Sequence, residues 1–289
     1  MTHTLVLYCK SFIDDIHRAK CLAESIDQFN TEKIPFYMSV PQKDFKKFEM
    51  TLQNNHVHLL SDEEIISKNP SLKLDSLLTS SGRISQQVVK SEFWRMSFCD
   101  NYVCLDSDST FIRPFKLSDF MYDHTTPYTV FHSGTDLLQW AARAKKQKHI
   151  DNFNADRTEI RNLFSRSSRL FDFGPTPCIW SAKVWKSLDT NYLQTNNIDF
   201  HQLIVSHPHE MLIYGETLLA YDAIKLIPTD PLFKVFHYKA QYDESIKLGE
   251  THSSLSVSYL GVIKQSNWDE SKDFYARKKR TWRSLWLKR

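Results

Sequence analysis

The sequence predicts an α/β fold with a mixed, mostly parallel sheet flanked by helices. Three observations predict it. Short apolar runs of β character alternate with amphipathic stretches through the first hundred residues. The chain has 289 residues, 41% apolar and 25% charged, enough for a substantial core and ordinary for a globular protein. An apolar run at 102–105 ends abruptly in two acids, Asp106 and Asp108, as a strand does where it reaches the ligand-binding end of such a sheet.

The elements follow in order. Residues 4–9 (TLVLYC) read as a first strand, and 14–29 place Ile16, Ala19, Leu22, Ala23, Ile26 and Phe29 near helical spacing. Residues 35–41 read as a second strand closed by Pro41, 44–52 as a helix and 56–61 as a third strand. Strand–helix–strand–helix–strand implies parallel pairing through right-handed crossovers. A helix over 85–99 and a strand over 102–106 come next. Residues 127–133 read as a strand, 137–171 as a polar, mostly helical insertion, and 177–194 as a short strand and a helix. A helix over 210–224 and late strands at 225–230 and 233–238 complete the pattern. No internal repeat or low-complexity linker breaks the chain, so one domain is expected over 1–271.

Composition excludes several classes. Six glycines, with no GxGxxG and no GxxxxGK[ST], argue against a Gly-rich phosphate loop. Five cysteines without a CxxC give neither a disulfide framework nor a zinc site and point to a reducing compartment. The first residues lack a basic start and a long apolar core, and no stretch approaches about 18 uncharged apolar residues, the length of a membrane span. A soluble, cytoplasmic protein is expected. Net charge is only +3, but residues 272–289 carry eight Lys/Arg against one Asp, interleaved with Phe274, Tyr275, Trp282, Leu285 and Trp286. Such a tail suits an anionic membrane surface. No base-reading motif accompanies it, so no nucleic acid is expected.

Asp106 and Asp108 carry the chemistry. Two hard carboxylates with no His or Cys nearby suit Mg²⁺ or Mn²⁺ rather than zinc. Magnesium keeps waters and substrate phosphates in its shell, so the implied substrate carries a diphosphate. The competing reading is a turn in which Asp106, Ser107 and Asp108 bond to local backbone. Two enzyme classes place such acids after a strand. Aspartate-nucleophile phosphatases use D-x-D-x-T, which Asp106, Asp108 and Thr110 match, but about a hundred residues of strand–helix pattern precede it and no later acid pair follows. Nucleotide-sugar glycosyltransferases of the GT-A type use D-x-D to hold a divalent ion against the donor diphosphate.

Four further stretches resemble GT-A glycosyltransferases of bacterial surface-polysaccharide synthesis, of the lipopolysaccharide and capsule kind. They are YCKSFIDDIHRAKCLAESI (8–26), RISQQVVKSEFW (83–94), FDFGPTPCIWS (171–181) and HPHEMLIYGETLLAY (207–221). The resemblance implies a GT-A-like (Rossmann-like) fold, with a nucleotide-binding half at 1–115 and an acceptor half at 116–271. It implies nucleotide contacts from Cys9, Ser11 and Asp14 or Asp15, and donor contacts from Gln86, Gln87 and Lys90. Asp106, Ser107 and Asp108 would face the metal and diphosphate. Trp180 would shape the sugar pocket, and Glu210 or Glu216 would touch the acceptor hydroxyl. It also implies a late histidine in the metal shell, for which FKVFHYKAQYD (233–243) offers His237, with Lys239 within reach of the diphosphate. The implied reaction moves a sugar to a cell-surface glycan or lipid-linked acceptor at the inner face of the membrane. A GT-A-like protein that has lost activity and only binds is the non-enzymatic alternative.

Overall fold

The structure is a computed structural model and describes residues 2–265. The tail at 272–289 lies outside the described residues.

The first half builds a sheet. Strand β1 (His3–Lys10) leads through a 3-10 turn into α1 (Ile16–Phe29), then β2 (Phe36–Val40), α2 (Phe45–Leu52) and β3 (His58–Ser61). Two short helices, α3 (Asp62–Ser67) and α4 (Leu74–Thr79), precede α5 (Gly82–Glu92) and β4 (Cys99–Asp106). The central sheet runs β3-β2-β1-β4-β7, parallel throughout except for β7 (Cys178–Ser181), which is antiparallel to β4. This is the α/β class and the mixed, mostly parallel sheet flanked by helices that the sequence predicts.

Alternation along the strands fills both faces. Val6 and Tyr8 of β1 and Tyr102 and Cys104 of β4 join one core with Val88 and Val89 of α5. Leu5, Leu7 and Cys9 with Val103 and Leu105 join the other, against α1 and α2. The apolar face of α1 buries Ile16, Ala19, Leu22, Ala23 and Ile26 there. Each such large aliphatic contributes about 1.5–3 kcal/mol when fully buried. Aromatic rings dominate the first core, with Tyr8 stacked on Phe93 at 3.8 Å and Tyr102 edge-on to Trp180 at 5.8 Å.

The remaining elements extend the sheet and cover it. β5 (Ser109–Phe111) pairs later with a second, three-stranded sheet. β6 (Thr129–Val130) is only two residues long, so the strand expected over 127–133 shrinks to a single parallel contact with β8 (Pro228–Thr229). The insertion expected over 137–171 resolves into α6 (Thr135–Arg143) and α7 (Gln147–Leu163). After β7 come α8 (Ala182–Leu188), α9 (Phe200–Ser206) and α10 (Glu210–Tyr221). β9 (Phe233–Phe236), α11 (Lys239–Lys247), α12 (His252–Leu255) and β10 (Gly261–Lys264) close the described chain, with sheet order β5-β10-β9. Among the described residues no helix is long and apolar enough to cross a membrane.

Sequence reading ran the helix before β4 to residue 99. It ends at Glu92, passes through a 3-10 turn and stops at Ser97, whose φ of +58° is left-handed. A left-handed serine ends the helix without the glycine that normally signals such a stop.

Candidate functional site

In an open α/β sheet, ligands bind outside the carboxyl ends of the strands where the strand order reverses. Here the chain winds outward from β1 through β2 to β3 and then returns to β1's other side with β4. The last residues of β1 and β4, Lys10 and Asp106, are paired across that switch point.

Asp106 continues the parity of Tyr102 and Cys104, which puts its carboxylate on the α5 and α10 face. There Lys90 of α5 donates to Oδ1. The Lys90 side chain is 4% exposed and that of Asp106 35%. Thr176, in the loop before β7, donates from Oγ1 to Oδ2 at 2.5 Å. The Tyr102 hydroxyl donates to the Lys90 carbonyl at 3.0 Å, fixing the helix over the strand. Gln87, one turn before Lys90, donates from Nε2 to the Arg83 carbonyl at 3.1 Å and accepts the Glu210 amide N–H on Oε1 at 3.2 Å. One side chain thus ties α5 to the first turn of α10.

The electrostatics follow from this packing. Burial alone would push the Asp106 carboxyl up, but the Lys90 charge and the hydrogen bonds from Lys90 and Thr176 more than offset it, and the pKa falls below the usual carboxylate value. Burial works against the Lys90 ammonium, yet Asp106, Cys104 and Glu210 together raise it well above its ordinary value. Glu210 is buried, and that burial raises its pKa despite the Lys90 charge beside it; Asp106 adds to the rise. The cluster therefore holds one firm ion pair and one carboxyl that keeps its proton longer than usual.

The turn after β4 is tied to the turn after β1. The Ser107 hydroxyl donates to Asp15 Oδ2 at 3.3 Å, and Arg18 donates to Asp15 Oδ1 at 2.9 Å. Asp108 is half-buried in this turn. Ser11 is buried, its N–H given to the Ser39 carbonyl at 2.9 Å. Gln86 is half-buried on α5. The structure thus brings together Gln87, Lys90, Asp106 and Glu210 in one cluster, and Asp15 and Ser107 in the adjoining turn.

Other expected residues are elsewhere. Trp180 is 1% exposed and packs edge-on against Tyr102 and Trp185, because its place on β7 opposite Tyr102 turns it into the core. Cys9 is fully buried beneath the two aspartates; burial first, then Asp106 and more weakly Asp108, push its thiol well up. A neutral thiol inside the sheet makes no nucleotide contact. Glu216 is bonded to Arg166 Nε at 2.6 Å, its side chain 3% exposed, which explains the acid without a ligand. Lys239 is exposed and paired with Asp243 one turn on, at 2.8 Å. His237 follows β9; burial lowers its pKa, and the Asp172 charge only partly opposes that. Among the described residues no three or more His, Cys, Asp or Glu side chains gather as a metal shell. The three-ligand set of Asp106, Asp108 and His237 is therefore not assembled.

Sequence reasoning missed Thr176 and Lys10. Thr176 lies between the two prolines of the Gly-Pro-Thr-Pro segment, which mark a fixed loop and were the available signal. Lys10 Nζ donates to the Ser11 carbonyl at 2.9 Å and pairs with Asp62 at 3.3 Å, at the carboxyl ends of β1 and β3.

Among solved structures, the crystal structure of mouse xyloside xylosyltransferase 1, apo form, is similar over 92% of this chain and 99% of that chain, at 8% identity and a TM-score of 0.46. No curated protein matches the sequence. Residues 4–282 match the family of unknown function DUF6492, and the chain belongs to that family.

Proposed function

We propose that this protein is a glycosyltransferase that moves a sugar from a nucleotide-diphosphate donor to a bacterial cell-surface glycan or glycolipid. One observation carries the reading. Asp106, with Asp108 two residues on, ends β4 at the switch point of the sheet; Lys90, Thr176 and Glu210 converge on it, and Gln87 ties the Glu210 turn to α5. Two acids placed there, with a polar cluster on one side, suit a polyhydroxylated ligand carrying a diphosphate.

A divalent ion fits this donor set in one way. The oxygens are hard enough for Mg²⁺ or Mn²⁺. Asp106 already accepts from Lys90 and Thr176, so its remaining lone pairs and Asp108 would hold the ion jointly with donor phosphate oxygens. Such an ion, when bound, supplies positive charge for the departing diphosphate. The protein's own groups do the rest. Lys90 fixes the Asp106 carboxylate in one orientation. Thr176 donates its hydroxyl to the same carboxylate, and Gln87 holds the first turn of α10 against α5. In an inverting reaction the Glu210 carboxylate is the group to take the acceptor hydroxyl proton, and burial, which raises its pKa, makes it the stronger base once ionised. A retaining reaction needs no such base.

Thermal unfolding across a panel of nucleotide-sugars, with and without Mn²⁺, tests the reading. A donor that stabilises the wild type with metal, and does not stabilise Asp108→Ala, supports it. Stabilisation by no donor would sink it. Hydrolysis of the bound donor separates an enzyme from a silent binding protein, and turnover of a simple phosphomonoester would favour the aspartate-nucleophile phosphatase. Sedimentation with anionic vesicles, for the full chain and for a chain ending at residue 271, tests the membrane role of the tail.

A further inference from the structure

Thr176 reaches Asp106 because the loop at 172–177 is held from behind. Two residues after β6, His132 exchanges backbone hydrogen bonds with Asp172 in both directions, at 3.1 and 2.7 Å. Asp172 Oδ1 accepts from the N–H groups of Phe173 and Gly174 at 2.9 and 3.3 Å, and Oδ2 accepts from Arg157 at 2.7 Å. The imidazole adds a second hold. His132 Nδ1 accepts the Gly134 N–H at 3.0 Å, and Nε2 meets the Gly174 carbonyl oxygen. A nitrogen that accepts carries no proton, and a nitrogen facing a carbonyl oxygen must carry one. These partners fix the ring as the neutral Nε2–H tautomer.

Gly134 is part of the device. Its φ is +67°, and a Cβ there would lie 2.2 Å from the Phe153 ring of α7, so only glycine brings that N–H under the imidazole. On the far side of the loop, Cys178 donates its thiol to the Phe173 and Pro175 carbonyls, at 3.3 and 3.9 Å. The thiol is buried beneath the loop.

We propose that His132 is the positioning residue of the site: through Nε2–H it clamps Gly174 and so holds Thr176 against Asp106. It touches no ligand itself. The clamp is a property of the fold; its consequence for donor binding rests on the glycosyltransferase reading.

Cys178 reports the clamp without any ligand. In a Cys21→Ser chain, which removes the exposed cysteine, alkylation with N-ethylmaleimide is followed site by site through peptide mass spectrometry. In His132→Phe, Cys178 is expected to react about tenfold faster or more, through local opening of the loop, while Cys99 and Cys104 keep their rates. His132→Gln, whose amide N–H reaches the same carbonyl, is expected to restore most of the protection. Unchanged Cys178 reactivity in His132→Phe overturns the proposal, and so does a rise shared by all buried cysteines, which marks general loosening. Nitrogen-15 spectra of the wild-type imidazole give an independent check: the Nε2–H tautomer supports the clamp and the Nδ1–H tautomer overturns it. A donor found by the thermal panel should bind His132→Phe and Thr176→Val with similar losses; full donor binding by His132→Phe overturns the positioning role. Selective Cys178 exposure with no nucleotide-sugar binding even to wild type leaves the clamp standing and removes the glycosyltransferase reading instead.

Discussion

Lys90 and Asp106 meet at the carboxyl end of β4, the lysine from inside the protein and the aspartate from its edge. That asymmetry orders the cost of breaking the pair. In Asp106→Asn the buried Lys90 ammonium loses its hydrogen-bonded counter-charge and keeps only Glu210 nearby, which costs about 3 kcal/mol. In Lys90→Met the half-exposed aspartate regains water, and the loss is expected nearer about 1–2 kcal/mol. The double variant should recover most of the larger loss. Urea unfolding at pH 7 measures all three, and equal losses in the two single variants would contradict the ordering.

The same pair sets a pH window. Asp106 titrates below its unfolded value, so its stabilisation is complete above about pH 4 and is lost as pH falls through the folded pKa. Lys90 titrates above its unfolded value, so its share is complete below about pH 10 and is lost as pH rises through the folded pKa. Stability from this pair should be flat between those limits. In Asp106→Asn the acid limb of the stability–pH curve becomes shallower, which chemical unfolding from pH 2 to 6 would show.

Glu210 carries the opposite sign. Burial holds its proton on more tightly in the folded state than in the unfolded one, so the ionised form costs stability as pH rises past the unfolded value. Glu210→Gln removes that cost and should raise the stability of the protein at neutral pH. If Glu210 takes the acceptor proton, the same variant loses transfer by about 10²–10⁴-fold. A gain in stability paired with a loss of turnover is the expected signature, read from unfolding and a donor–acceptor assay on one preparation.

Thr176 offers a nearly isosteric test of the hydrogen bond to Asp106. Thr176→Val keeps the shape and removes the hydroxyl that donates to Oδ2. A hydrogen bond to a charged group contributes about 1.5–3 kcal/mol, and Asp106's partial exposure puts the expected loss at the lower end. Thr176→Ser should retain most of it. The apparent Asp106 pKa, followed by carboxyl-carbon NMR, should rise in Thr176→Val and stay near wild type in Thr176→Ser.

How much of this site the sequence discloses depends on how far apart its partners lie. Asp106 was legible from its place at a strand end, whereas Gln87 and Lys90 entered through the resemblance; helix spacing puts those two on one face, and α5 precedes β4 in the chain. Asp15 and Ser107 entered through the resemblance, but their mutual bond depends on β1 and β4 being neighbours, which only the sheet order supplies. Thr176 lies 70 residues from Asp106, beyond any periodicity, and its contact depends on a loop held by His132 and Asp172. Trp180 was misplaced because an apolar run cannot distinguish a stacking platform from a core ring; its register opposite Tyr102 decides that. Ser97 ended a helix in a conformation that glycine usually marks, so the start of β4 was set three residues late.

Glu216 separates a buried acid from an active one. It sits on α10, six residues after Glu210, and the two were equal candidates for the acceptor hydroxyl. Burial raises the pKa of both, so titration alone does not distinguish them. Their partners do. Glu210 faces Lys90 and Asp106, whereas Glu216 takes the Arg166 guanidinium at 2.6 Å inside the helical layer. Glu216→Gln gives up the ion pair with the partly exposed Arg166 but also removes a buried carboxylate whose pKa burial raises, so the net change in stability should be small. Donor affinity of the folded variant should be unchanged, because the contact lies away from Asp106. Glu210→Gln and Glu216→Gln should therefore separate on turnover, transfer being lost in the first and retained in the second. Loss of transfer in folded Glu216→Gln would return that residue to the site.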